Sequence, residues 1–261
     1  MNHLHHHRIR TGLLAGTVVM AIGWLGGATA AQAAVECTVG FGVTQTADTV
    51  TGTAFADNID CSASDSGKMI VGMGGEDIIT GTTHADRIDG GDGNDNVDGG
   101  PAVSLGSDVL TGGPGNDTMV GNGGDDTMIG GLGNDDMTGS GGLDHVTGNE
   151  GDDILVGGEG NDILDGGAGI DSLSGGGGVD GLSGGDSGDT LTGGDGNDVL
   201  NGDAGNDDLN GGDGIDRLNG GLGDDVLSGP AADGSIDTLD GGVGTDDCES
   251  APPEDTLINC P

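Results

Sequence analysis

From Gly72 onward the chain advances in steps of nine residues, and every step carries aspartate at its sixth position, counted without the insertions of two longer steps. Three nines start at Gly72, Gly81 and Gly90, and one thirteen-residue step starts at Gly99. Thirteen uninterrupted nines then run from Gly112 to Ser228, followed by a twelve-residue step from Gly229. Nines resume at Gly241 and at Ser250, although the last has lost its glycines. Upstream, Val43–Thr51 and Gly52–Asp60 fit the frame weakly. A clear step reads Gly90-Gly91-Asp92-Gly93-Asn94-Asp95-Asn96-Val97-Asp98. The sixth residue is Asp77, Asp86, Asp95, Asp108, Asp117, Asp126, Asp135, Asp144, Asp153, Asp162, Asp171, Asp180, Asp189, Asp198, Asp207, Asp216, Asp225, Asp237, Asp246 and finally Asp255. The eighth is aliphatic or methionine, with Cys248 the single exception.

Such a period implies stacked units that bury a continuous core only against their neighbours. Glycines at positions one, two and four let the backbone take positive φ and turn sharply. The turns then aim carbonyl oxygens inward, and the sixth residue adds a carboxylate to them. The last three residues read as a short strand whose middle member, position eight, points inward. Two nines make one turn of a flattened coil. From Val43 to Ile258 that gives about twelve turns, a stack of roughly 57 Å at the usual inter-strand spacing. The insertions around Ala102–Leu105 and Ala231–Gly234 are expected to bulge outward and leave the stack in phase.

The composition offers little else to fold with. The chain has 261 residues and 63 glycines, no tyrosine, two phenylalanines and one tryptophan. One aliphatic side chain per nine residues does not offset the entropy of ordering nine backbones. The formal net charge is -41, which repels nucleic acid and anionic membranes. The natural partners are cations, and carboxylates beside carbonyls suit hard ones such as calcium. The sequence therefore implies a ligand that supplies folding free energy, as structural metals do.

The step resembles the RTX, or haemolysin-type, calcium-binding nonapeptide GGxGxDxUx. The resemblance covers most of the chain after residue 71. It implies an all-β fold, a right-handed parallel β-roll of about 18 residues per turn, with calcium held between successive coils. The ligands it implies are the position-six aspartates from Asp77 to Asp246, with backbone carbonyls of Gly90, Gly91, Gly93, Gly112, Gly113, Gly115, Gly157, Gly158, Gly160, Gly193, Gly194 and Gly196. Near-full occupancy by a divalent cation would cancel most of the negative charge. Two steps depart from the pattern. Asp186-Ser187-Gly188-Asp189 puts serine where the fourth glycine belongs, and Gly81-Thr82-Thr83-His84-Ala85-Asp86 lacks two glycines. Those edges are expected to bind weakly or not at all.

The N-terminus reads as a secretory signal: Arg8 and Arg10, an apolar run from Thr11 to Ala28, and Ala31-Gln32-Ala33 before the cut. Cleavage after Ala33 removes His3, His5, His6 and His7 and no acid. The layout is then a signal peptide at 1–33, an N-terminal cap with degenerate repeats at 34–71, the calcium-binding roll at 72–249 and a C-terminal cap at 250–261. Cys37, Cys61, Cys248 and Cys260 suggest disulfides in an exported chain. Cys37–Cys61 with Cys248–Cys260 is the simplest of three pairings. A structural zinc site has no close Cys-x-x-Cys pair or nearby histidine to support it.

Catalytic look-alikes arise from a repeat built of glycine, serine and aspartate. Gly185-Asp186-Ser187-Gly188 and Gly181-Leu182-Ser183-Gly184-Gly185 mimic nucleophile motifs, but a triad needs a histidine beside the serine. Only His84 and His145 follow the signal, in other repeats. The sequence therefore favours a non-enzymatic, secreted calcium-binding module folded by the ion outside the cell. It would have no nucleic-acid partner and no membrane contact after cleavage. The alternative is an adhesive or surface-matrix protein in which calcium is only structural. Ice binding needs a regular outward array. The position-five row of Asn94, Asn116, Asn134, Asn161, Asn197 and Asn206 is broken by Ile170, Val179 and Ile215.

Overall fold

The computed structural model describes residues 37–101, 105–229, 235–250 and 255–260. The expected signal peptide, the histidines near the N-terminus and most of both insertions lie outside the described residues. Among the described residues the chain winds into a parallel β-solenoid of two sheets, one of 12 strands and one of 13. Successive strands alternate between them. Thr118–Gly123 lies in the first, Thr127–Leu132 in the second and Asp136–Gly141 in the first again. Strands one turn apart pair in parallel, Met119 opposite Met137 and Leu155 opposite Leu173, so a turn is two repeats. The long steps leave this register intact, because Arg87 pairs with Val109 and Arg217 with Thr238.

The strands are longer than the repeat suggests. Most span six residues, positions seven to nine and then one to three of the next repeat, as in Ile154–Glu159. Positions eight and one both face inward. Position eight fills a thin core that is buried from Val50 to Leu239. Its character changes along the stack. Val50, Ile59, Ile70, Ile79, Ile88 and Val97 open it, Met119, Met128 and Met137 follow, and leucine dominates from Leu155. Leu257 stands outside this core and is exposed.

Position one corrects the sequence reading. Glycines at positions two and four do take positive φ, as at Gly91 (108°), Gly93 (139°), Gly113 (121°) and Gly115 (154°). Those at position one do not; they are glycine for want of space. A Cβ on Gly157 would collide with Asp162 Oδ2 and lie 2.7 Å from the Gly175 carbonyl oxygen.

At the N-terminal end the chain reverses. Thr38–Val39 pairs antiparallel with Asn58–Asp60, and Thr44–Gln45 with Thr49–Thr51, which covers the first parallel strand of each sheet. Disulfides join Cys37 to Cys61 and Cys248 to Cys260, the pairing expected.

Candidate metal centres

The position-six aspartates form two ladders, one on each edge of the solenoid, where the chain passes from sheet to sheet. One runs through Asp77, Asp95, Asp117, Asp135, Asp153, Asp171, Asp189, Asp207, Asp225 and Asp246. The other runs through Asp86, Asp108, Asp126, Asp144, Asp162, Asp180, Asp198, Asp216, Asp237 and Asp255. In both, the backbone N–H of one aspartate donates to Oδ1 of the aspartate one turn further on. Asp126 N–H meets Asp144 Oδ1 at 2.8 Å, and Asp144 N–H meets Asp162 Oδ1 at 2.8 Å. Every one of these side chains from Asp77 to Asp246 is buried.

The second carboxylate oxygen is the unusual feature. In Asp77, Asp95, Asp108, Asp117, Asp126, Asp135, Asp144, Asp153, Asp162, Asp171, Asp180, Asp189, Asp198, Asp207, Asp225 and Asp246, Oδ2 is buried with no hydrogen-bond partner. A buried acceptor left unpaired costs about 1–3 kcal/mol, and more if charged. Such repetition at one phase is a cation-shaped demand.

The surroundings of Oδ2 fit that demand. Most first glycines leave a cradle flanked by Oδ2 of their own repeat and by the carbonyl oxygen of the first glycine one turn on. At Gly90 the flanking atoms are Asp95 Oδ2 and Gly112 O, at Gly139 they are Asp144 Oδ2 and Gly157 O, and at Gly175 they are Asp180 Oδ2 and Gly193 O. Of the expected carbonyl ligands, those of Gly90, Gly112, Gly157 and Gly193 thus lie beside an orphaned carboxylate oxygen. Those of Gly91, Gly113, Gly158 and Gly194 lie under the second glycine of the next turn, and those of Gly93, Gly115, Gly160 and Gly196 under the fourth. Among the described residues no three His, Cys, Asp or Glu side chains converge on a common point. A cation at these edges therefore draws on backbone carbonyls as well as carboxylates, which is hard-cation chemistry and not that of zinc.

Burial also disturbs ionisation. Desolvation, reinforced by carboxylates one turn away, pushes Asp108, Asp135, Asp144 and Asp189 up to about 7. Asp117, Asp126, Asp171 and Asp180 rise to about 6, again mainly by burial.

Asp86 differs from its neighbours. Its Oδ2 accepts the Thr82 N–H at 2.6 Å, so the glycine-poor step satisfies its carboxylate from within. Ser187 takes the fourth-glycine role at φ 86° and keeps the local turn, and Asp189 remains in its ladder.

Position five carries a second set of stitches that the sequence reading missed. Asn94 Oδ1 accepts the Asn116 N–H at 2.9 Å, Asn116 accepts Asn134 at 3.0 Å, and Asn134 accepts Asp152 at 3.1 Å. These bonds run opposite to the aspartate ladder, so turns with an acceptor at position five are tied both ways, and Leu143, Ile170, Val179 and Ile215 interrupt the row. The recurring asparagine was the available signal. The nucleophile look-alikes stay apart from imidazole. Ser183 Oγ donates to Asp203 Oδ2, and His145 lies two strands away in the same sheet, about 10 Å at β spacing.

No curated protein matches the chain. A family model described as the RTX calcium-binding nonapeptide repeat matches residues 71–101, 104–137, 129–164, 138–173, 156–191, 174–209, 183–218 and 201–230. These matches span more than half of the sequence and coincide with the aspartate ladders, so the chain belongs to the RTX calcium-binding nonapeptide repeat family and is a calcium-binding repeat protein.

Proposed function

We propose that this is an exported calcium-binding module, with no catalytic site in its repeats, whose folding is driven by calcium outside the cell. The observation that carries the reading is the repeated buried Oδ2 without a partner. Bound calcium would neutralise these oxygens and fill the cradle between each first glycine and its aspartate. The ligands would be the position-six aspartates of both ladders and the first-glycine carbonyls beside them. Asp86 contributes least, because Thr82 already serves its free oxygen.

The remaining roles fall to the chain itself. Oδ1 of each aspartate fixes the carboxylate against the backbone of the preceding turn, so docking a turn on the stack aims its Oδ2 at the cradle. Positions two and four turn the backbone, and position eight supplies the apolar seam. Export is supported by the signal-like residues 1–33 and by two disulfides, which persist in oxidising compartments. In this reading residues 34–71 cap the roll at one end, 72–249 bind calcium, and 250–261 close the other end. Low cytosolic calcium would keep the chain unfolded until it is outside.

The test is far-UV circular dichroism of the chain from residue 34 during a calcium titration, with magnesium as control. A cooperative rise in β signal with calcium and not with magnesium is expected, because magnesium sheds its water reluctantly and demands strict octahedral geometry. Full β signal in chelator, or none at millimolar calcium, would overturn the reading.

A further inference from the structure

One ladder does not begin with aspartate. In the frame of nine, Ala63–Val71 is a repeat, and its sixth position is Lys68. Lys68 occupies the ladder as an aspartate would, since its backbone N–H donates to Asp86 Oδ1. Its side chain is 6 % exposed, and the ammonium donates to the Ala47 carbonyl oxygen and, at 3.2 Å, to Ser66 Oγ. A buried cation bonded to two loop oxygens is thus covalently part of the chain at the first edge position.

The neighbouring carboxylates are served without metal as well. Asp57 Oδ2 accepts the Thr53 N–H at 2.6 Å, and Asp86 Oδ2 accepts the Thr82 N–H at 2.6 Å. In both repeats the second residue is threonine and is not turned to positive φ. Orphaned oxygens start only at Asp77 on one edge and at Asp108 on the other. The same end has the Cys37–Cys61 disulfide, the two antiparallel covering strands, and a core of β-branched Val50, Ile59, Ile70 and Ile79. β-Branched side chains favour strands without outside help.

We propose that residues 37 to about 71 form a metal-independent cap in which the Lys68 ammonium takes the place of a calcium ion, and that this cap templates the calcium-dependent turns. A stack of repeats propagates readily from a preformed unit, whereas starting one is costly. The cap supplies the first donor of each ladder, Asp57 N–H to Asp77 Oδ1 at 2.7 Å and Lys68 N–H to Asp86 Oδ1. The next turn therefore meets a finished surface. This inference rests on the calcium-driven folding proposed above.

The experiment is hydrogen exchange read by mass spectrometry on the chain from residue 34, disulfides intact, in chelator and then across a calcium titration. In chelator, residues 49–71 are expected to exchange at least ~100-fold more slowly than residues 112–246, a difference in local opening. Calcium should then extend protection over the whole stack. Lys68→Asp restores the repeat pattern and should remove protection of 49–71 in chelator, with calcium giving it back. Lys68→Met removes the charge and offers no carboxylate, so calcium should not restore it fully. Residues 49–71 exchanging as fast as 112–246 in chelator would overturn the proposal. So would either variant retaining parental protection there. If 49–71 are protected in chelator but calcium never protects 112–246, the metal-independent cap stands, and its templating role falls together with calcium-driven folding. Protection of the whole chain in chelator would overturn both.

Discussion

Replacing Asp144 with asparagine should have opposite effects with and without calcium. Asp144 sits mid-ladder, with Oδ1 held by the Asp126 N–H at 2.8 Å and Oδ2 buried beside Gly139 and the Gly157 carbonyl. Asparagine keeps the shape and the Oδ1 acceptor, and replaces the orphaned oxygen with an uncharged NH2 donor. In the metal-free fold, burial and the carboxylates of Asp126, Asp162 and Asp125 push Asp144 from 3.8 up to about 7. At about 1.4 kcal/mol per tenfold, holding Asp144 in the metal-free fold at pH 7 costs on the order of 4 kcal/mol at most, and water reaching the edge reduces this. Asp144→Asn in chelator should therefore gain up to a few kcal/mol, read as more β signal and a lower urea sensitivity. In saturating calcium the same change removes a charged ligand. It should lower the thermal midpoint by several degrees and reduce bound calcium, as counted by equilibrium dialysis. A variant destabilised under both conditions, or one binding as much calcium as the parent, would refute the reasoning that Oδ2 exists for the ion.

Two further outcomes follow from the same geometry. Unfolded aspartates lose their protons near 3.8, while Asp108, Asp135 and Asp189 in the metal-free stack hold theirs to about 7. The metal-free fold is thus most favoured below about pH 4 and loses that advantage progressively as pH climbs from there to about 7. Circular dichroism in chelator should show β structure appearing on acidification. The second outcome concerns glycine. Gly157→Ala puts a methyl between Asp162 Oδ2 and the Gly175 carbonyl, whereas a Cβ on Gly181 meets nothing within 4 Å. Gly157→Ala should cost about 1–3 kcal/mol in calcium melts and disable its site, and Gly181→Ala should leave the melting curve unchanged.

Much of this molecule was written in the sequence because a nine-residue period leaves few options. Invariant aspartate at position six and an aliphatic at position eight dictated the coil, the turn of two repeats, the seam from Val50 to Leu239 and the oxygen-lined edges. The in-phase insertions followed from the constancy of those two positions on either side of them. What the period could not reveal is how atoms in successive turns meet, since those contacts join residues 18 or more apart. Only the fold assigned Oδ1 to the backbone and left Oδ2 open. It also showed that the first glycine yields space while the second and fourth yield φ. Position five became a counter-running stitch, because Asn94 and Asn116 are neighbours only after a full turn. Lys68 was invisible as a stand-in because its meaning depends on the Ala47 carbonyl, 21 residues away and one coil above. A repeat specifies its turn locally, but the polar bonds that tie one turn to the next exist only once the stack has closed.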